Sequence, residues 1–372
     1  MKTPATVSWL PTNEDFEYGS LVEVVGRANR AIAHFQGVLL AVPNPDVLIS
    51  PLTTHEAFLS SRIEGTQVTF GEVLQFEAGK DPRQESRIPD IREILNYRKA
   101  LRSAEAELKQ KPFNLNLIRK LHGLMLSGVR GDRMRPGEFR KEQNWIGQRG
   151  TTIEQADFIP PSPLELMDQL TAWERFYHAS GYDPLIQLAI VHAQFEFIHP
   201  FLDGNGRMGR LIIPLFLFEK AILQRPVFYM SEWLEEHHDQ YYASLRQLTN
   251  NKDSWLSWIR FFLEAVAGQA GRNSTKAGEI HNLYKRYKDQ LLGEKPSKYS
   301  VRLLDQIFQF PVFATSILRF GPHPPSRPTL RRLLRTAEDH KIIKTIDEGA
   351  GRIPTLYACQ ELVNLCEGKK VF

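Results

Sequence analysis

The reading of this chain turns on Leu185 to Arg210, where LIQLAIVHAQFEFI runs directly into HPFLDGNGRMGR. The first half is apolar around the whole helical circumference, the pattern of a helix buried on all sides. The second half cannot continue it. Pro200 follows the histidine, and Asp203-Gly204-Asn205-Gly206 are residues that favour caps and tight turns over helix interiors. The spacing predicts a helix over 183–198, a turn, and a second helix over 206–222. Backbone N–H groups at the start of that second helix sit at the positive end of its dipole, an anion site that a phosphate fits. Arg207 and Arg210 are three apart, share one face and can clamp the same polyphosphate. Asp203 opens the turn, where a carboxylate beside phosphates suits Mg2+. His199 is the group in the stretch whose pKa suits taking a proton near neutral pH.

Cradle, clamp, metal and base are the parts of a phosphoryl or nucleotidyl transfer site. Each alone has an ordinary structural explanation: a helix-end histidine, a glycine-rich turn, a solvated arginine pair. Their concentration in twelve residues argues for chemistry. No G-x-x-x-x-G-K-[ST] occurs, nor DFG or HRD, so the P-loop and protein-kinase classes are excluded.

Outward from this stretch the period is helical. YGSLVEVVGRANRAIAHFQGVLL, residues 18–40, has apolar positions at i, i+3, i+4 and i+7, and Pro43 and Pro45 end it. A helix restarts in PLTTHEAFLSSRIEG, with Thr53 and Glu56 as a capping box and Gly65 as its stop. Helices are expected over 89–110, 114–127, 163–180, 231–249 and 252–269. Pro214 falls inside the 206–222 helix, where a kink is expected. Residues 137–162 carry turn residues and read as a loop plus a β-hairpin. Residues 271–296 read as a linker helix. SVRLLDQIFQF, SRPTLRRLLRTAEDHKII and TIDEGAGRIPTLYAC then give helix, helix and a glycine-centred hairpin, the order of a winged helix-turn-helix. The expected fold class is all-α, mainly helical, with a small β-hairpin flap and a C-terminal winged helix. The expected domains are 1–88, 89–270 and 271–372.

The 372 residues, 42% hydrophobic and 24% charged, fit a soluble globular chain of two or three domains. No apolar run reaches the roughly 18 residues of a membrane helix, and residues 1–19 lack the apolar core of a signal peptide. Cys359 and Cys366 have no metal-ligand spacing, and a reducing cytoplasm is the expected location. Charge is unevenly spread. Residues 271–372 hold 18 Lys and Arg against 10 Asp and Glu, and the remainder holds 29 against 33. A basic tail on an acidic body points to a polyanionic partner, or simply to a basic surface. Arg331, Arg332 and Arg335 on the predicted recognition helix are the DNA-contact candidates, with DEGAGRIP as the wing.

HPFLDGNGRMGR resembles the Fic family signature HPFx[D/E]GNGRxxR, with all nine specified positions matched. The resemblance covers residues of about 90–270. Upstream, Ser60 to Gly65 resembles the inhibitory motif [S/T]xxxE[G/N] of that family. The resemblance implies AMP transfer from ATP to a hydroxyl of a target protein. In that role His199 deprotonates the target Tyr, Ser or Thr, and Asp203 binds Mg2+ between the α- and β-phosphates. Gly204, Asn205 and Gly206 form the anion nest, Gly209 belongs to the same nucleotide-binding set, Arg207 lies on the phosphates and Arg210 on the γ-phosphate. Glu64 pairs with Arg210 and displaces that γ-phosphate. Doc relatives that phosphorylate carry Lys at the position of Gly206, so the glycine favours AMP transfer. The segment 153–161, IEQADFIPP, resembles the flap on which the target's main chain docks. Tyr242, with Tyr241 beside it, and Tyr229 are the candidates for the base pocket. Transfer of another nucleotide or phosphate group, and a DNA-binding regulator that uses the core as a nucleotide sensor, stand as alternatives. Self-modification, a homodimer and DNA or protein as partner of the C-terminal domain are left open by the residues.

Overall fold

The computed structural model describes residues 18–372 except 43, 148–149, 151, 249–251, 294–296 and 350–353. It is mainly helical and divides into two compact units. One comprises residues up to 36, 59–65 and 95–271; the other comprises 37–58, 66–94 and 272–372.

The first unit is built round two helices that water barely reaches. Helices α1 (Val22–Leu40), α2 (Pro45–Ile63), α3 (Phe70–Glu77), α4 (Ile88–Leu108), α5 (Leu115–Leu126) and α6 (Leu166–Tyr177) precede them. Of these, α3 and most of α2 belong to the second unit. Then come α7 (Pro184–Ile198) and α8 (Asn205–Glu219), each with 12 of its 15 residues buried. The all-apolar circumference of α7 dictates this: a helix with no polar face is stable only when covered on every side. Asp183 starts α7, its Oδ1 accepting from the N–H groups of Leu185 and Ile186 at 2.9 and 3.2 Å, with Pro184 in the first turn. Gln187 Nε2 donates to the carbonyls of Phe176, Tyr177 and Ala179, closing the end of α6. Trp173 and Trp258, both buried, donate their indole N–H to Val191 O and Ala189 O at 2.8 Å. Pro214 lies inside α8, and the carbonyl of Arg210 has no helical donor there.

Several boundaries differ from the sequence reading. Helix α2 begins at Pro45, in the first turn where a missing N–H is harmless, and carries Pro51 inside. Thr53 is therefore interior and not a cap: its hydroxyl donates to Ile49 O at 2.7 Å. A capping box does occur further on, between Thr69 and Glu72 at the start of α3. Gly65 ends α2 as expected, at φ +89°, a conformation glycine adopts without strain. The 231–249 helix is two, α9 (Ser231–Glu236) and α10 (His238–Gln247), divided at His237. The 252–269 helix and the linker helix are one, α11 (Lys252–Leu292). The hairpin of 137–162 is present as one antiparallel bridge, Ile146 to Phe158, with a single 3-10 turn at Ile153–Gln155 between the two.

The second unit holds α12 (Ser300–Gln309), β1 (Val312–Ala314), α13 (Arg327–Asp339), β2 (Lys344–Asp347), β3 (Leu356–Ala358) and α14 (Gln360–Glu367). The strands form one antiparallel sheet of order β1-β3-β2, with Val312 and Lys344 both paired to Ala358. The expected helix, helix and hairpin are thus joined by a short strand; residues 350–353 of the expected wing lie outside the described residues. Helix α13 is strongly amphipathic. Leu333, Leu334 and Ala337 are buried and its arginines are exposed. A buried His55–Glu367 pair at 3.1 Å ties the middle of α2 to α14 in this unit.

Candidate active site

Helix α7 ends on His199, whose backbone is left-handed at φ 47° and ψ 60°, with its N–H donating to Phe195 O at 3.0 Å. That turn throws the chain into a short loop that returns as α8 at Gly204, itself left-handed at φ 80°. Asn205 locks the loop: Oδ1 accepts from Phe201 N–H at 2.9 Å and Nδ2 donates to Phe201 O at 2.8 Å. The side chain of Asn205 is thereby committed to the loop, and the first turn of α8, whose N–H groups have no carbonyl a turn earlier in the helix, is the candidate anion cradle.

Three residues outside the motif hold the same loop. Arg140 Nε donates to His199 O at 2.9 Å, and its Nη2 donates to Pro161 O and Ile198 O at 2.6 and 3.3 Å. Burial lowers its guanidinium pKa to about 10, which leaves it charged at neutral pH. Asn144 Nδ2 donates to Phe201 O at 2.9 Å. His122 stacks on Phe201 with ring centroids 3.6 Å apart. Its Nδ1 accepts from Gly137 N–H, so Nε2 carries the proton given to Asp203 O at 2.8 Å. Burial brings its pKa down to about 4, in keeping with that neutral tautomer. None of the three stands in a recognisable sequence pattern, because their partners are main-chain carbonyls far along the chain.

The functional candidates converge on this frame. The Nδ1 of His199 is 3.3 Å from Glu196 O, so Nδ1–H donates there and the Nε2 lone pair is left to accept a proton. Burial lowers the His199 pKa to about 4, against an opposing pull from Glu64 and Asp203. Asp203 Oδ1 accepts from Gly204 N–H at 2.7 Å and from Arg207 Nη2 at 3.2 Å. Arg210 is fully buried. Its Nε donates to Ser60 Oγ at 2.9 Å, and its Nη2 donates to Ser60 O at 2.8 Å and Glu64 Oε1 at 2.6 Å. Burial opposes the charge on Arg210, and the Glu64 carboxylate more than restores it, raising the guanidinium pKa. Burial likewise raises the Glu64 carboxyl, and Arg210, Arg207 and His199 bring it below the usual range. The approach of Glu64 needs a bare position on α8: a Cβ at Gly206 would stand 2.3 Å from Glu64 Oε1.

Glu196 was not singled out by the sequence reading, although it lies one turn before His199 on α7. A Cβ at Gly209 would stand 2.0 Å from its Oε1, so the second glycine of α8 makes room for this second carboxylate. Burial raises its pKa to about 7, with Arg210 opposing and Glu64 adding to the rise.

The tyrosines separate. Tyr241 is core: its hydroxyl meets His192 Nε2 at 2.9 Å and it is 1% exposed. Tyr242 lines a small pocket together with Ile146, Phe158, Glu196, Phe197 and Leu245. Tyr229 is buried and is not among that pocket's lining residues. Among the described residues no group of three His, Cys, Asp or Glu side chains gathers to hold a metal. The donor set still suits Mg2+, which takes one or two carboxylates and completes its shell with substrate phosphates and water. Asp203 is such a carboxylate, its side chain 36% exposed beside the anion cradle.

This loop-and-two-helix site on a helical frame defines the class, and known proteins agree with it. Models described as Fic/DOC family N-terminal and Fic/DOC family match residues 22–106 and 112–217, together just over half of the chain. The chain belongs to the Fic/DOC family. A relative from Drosophila virilis named protein adenylyltransferase Fic is 32% identical over 212 residues, covering 55% of this chain and 38% of its own length. The Drosophila melanogaster protein of that name is 31% identical, with the same coverage. The chain thus spans about two fifths of the length of the curated relatives it matches. A Fic family protein from Desulfovibrio desulfuricans G20 shares the fold across 96% of this chain and 98% of its own, at TM-score 0.57 and 17% identity. A Fic domain containing signaling protein from Bacteroides thetaiotaomicron matches 69% of this chain and 97% of its own, at TM-score 0.53 and 19% identity. No helix among the described residues is long and apolar enough to cross a membrane.

Proposed function

We propose that this chain is a protein adenylyltransferase that moves AMP from ATP to a Tyr, Ser or Thr hydroxyl, and that Glu64 holds it inactive. The observation that carries the reading is the Glu64–Arg210 pair at 2.6 Å, set over the anion cradle and within electrostatic reach of a neutral His199. In the reaction His199 Nε2 takes the hydroxyl proton as the oxygen attacks the α-phosphorus. The bond from that phosphorus to the bridging oxygen breaks and pyrophosphate leaves. Asp203 would hold Mg2+, which neutralises phosphate charge when bound. The N–H groups at the start of α8, with Arg207, steady the same charge. Arg210 takes the γ-phosphate once Glu64 withdraws. Tyr242 and Phe158 give the nucleobase an aromatic pocket.

The same reading extends outward. The target's main chain docks on residues 153–161, beside the bridge from Ile146 to Phe158. Residues 1–88 carry the inhibitory helix, 89–270 the catalytic core and 271–372 a winged helix, for which the helix, strand, helix and ribbon of 300–358 are the support. The two free, buried cysteines accord with a cytoplasmic protein.

The test is incubation of wild type, Glu64→Gly and His199→Ala with Mg2+ and ATP labelled on the α-phosphate. Strong self-labelling of Glu64→Gly, weak labelling of wild type and none of His199→Ala is expected. No label from ATP with strong label from another nucleoside triphosphate would transfer the reading to that nucleotide. No label from any of them would end it.

A further inference from the structure

Helix α13 carries Arg327, Arg331 and Arg335 four residues apart, and so in one stripe along its exposed side. They line one wall of an open cleft, whose other wall is Thr355 and Tyr357 of the β3 arm. Among the described residues none of the three has an ion-pair partner. The acid in the lining, Glu338, already accepts from Thr345 Oγ1 at 2.7 Å. This placement disfavours the helix on its own. Like charges one turn apart repel, and Arg327 in the first turn opposes the helix dipole. Three unpaired cations in unfavourable positions on one wall of a cleft are what an absent polyanion would leave behind.

We propose that this cleft is a nucleic-acid backbone site and that its occupant is duplex DNA. The lining exposes more polar than apolar surface, whereas a protein partner would need an apolar anchor at its centre. Thr315, Thr355 and Tyr357 add hydroxyls of the kind that donate to phosphate oxygens. The aromatic in the lining, Tyr357, is stacked on Phe313 and offers no free platform for single-stranded bases. A helix enters the major groove of B-form DNA but not the deep, narrow one of duplex RNA. Of the three arginines expected from the sequence, Arg331 and Arg335 line the cleft; Arg332 is exposed but is not in its lining, and Arg327 is.

The experiment is fluorescence anisotropy of full-length protein with a labelled 20-base-pair DNA duplex of arbitrary sequence, titrated between 50 and 200 mM salt. Replacing all three arginines, Arg327→Gln with Arg331→Gln and Arg335→Gln, should cut the slope of log affinity against log salt by about 3, since each phosphate contact contributes about 0.9. Arg332→Gln should leave the slope within about 0.3 of wild type by the same rule. All replaced side chains are exposed, and circular dichroism with undiminished self-labelling in the Glu64→Gly background would certify the fold. Absence of duplex binding at 50 mM salt overturns the proposal. So does an equal loss in Arg332→Gln. Tighter binding of duplex RNA, or displacement of DNA by poly-glutamate at matched charge, would reassign the cleft to another partner and overturn it as well.

Discussion

Gly206 offers the sharpest test of how the site is held shut. Replacing it with alanine puts a methyl group 2.3 Å from Glu64 Oε1 and 3.1 Å from Arg210 Nη1. The helix backbone cannot give way, so Glu64 must retreat by roughly 1 Å to reach ordinary contact distance. That stretches a charge-assisted bond now 2.6 Å long. Such a bond contributes about 1.5–3 kcal/mol, and the lower figure applies because the Glu64 side chain keeps 31% of its surface in water. About 1.5 kcal/mol is close to a factor of ten. Self-labelling from α-labelled ATP is measured in four proteins: wild type, Gly206→Ala, Glu64→Gly and the double variant. Gly206→Ala should be about tenfold more favourable to the rate with Glu64 present than with it removed. The ratio absorbs any direct harm to the phosphate cradle, because that harm is common to both backgrounds. An equal effect of alanine in both would refute the idea that Glu64 and the nucleotide compete for Arg210.

Three further outcomes are expected. A base whose pKa lies near 4 is already neutral across the working range, so labelling by Glu64→Gly should stay level from pH 8 to pH 6 and fall only below about 5; a fall centred near 6.5 would contradict this. Glu196, raised to about 7, keeps in the folded chain a proton that the unfolded chain has released above the ordinary 4.5. Stability is therefore lost as pH rises from about 4.5 to about 7, by on the order of 2–3 kcal/mol. Thermal melts at pH 5 and pH 8 should show that loss in wild type and not in Glu196→Gln, and an equal loss in both would count against it. Arg140→Ala strips donors from buried carbonyls of the catalytic loop and should destabilise by about 3 kcal/mol in denaturant melts, with Arg140→Lys recovering little of it for want of the planar fork.

The candidate site is legible in the sequence because its residues are contiguous. His199, Asp203, Gly204 and Arg210 fall in a single turn between two helices, and turn chemistry and helical period suffice to place them. Helices α7 and α8 sit within a residue or so of the sequence reading at their starts. What could not be read are the long-range donors. Arg140 looks like any loop arginine until the carbonyls of Pro161, Ile198 and His199 are brought round it. The start of α2 was misplaced for a related reason. Thr53-x-x-Glu56 and Thr69-x-x-Glu72 are the same pattern, and only the chain's path distinguishes an interior turn from a true first turn. Arg331 and Arg332 are neighbours in sequence, yet only Arg331 lines the cleft, because adjacent residues on a helix face different ways.

The left-handed backbone at His199 has a consequence of its own. A side chain at φ 47° costs folding on the order of 1 kcal/mol that glycine at the same place would not. A His199→Gly variant gains that but gives up a buried imidazole and loosens the unfolded chain, so it should melt no later than wild type. The residue proposed as the base thus sits where the backbone would accept glycine without strain, and a screen for thermal stability alone would not report on its chemistry.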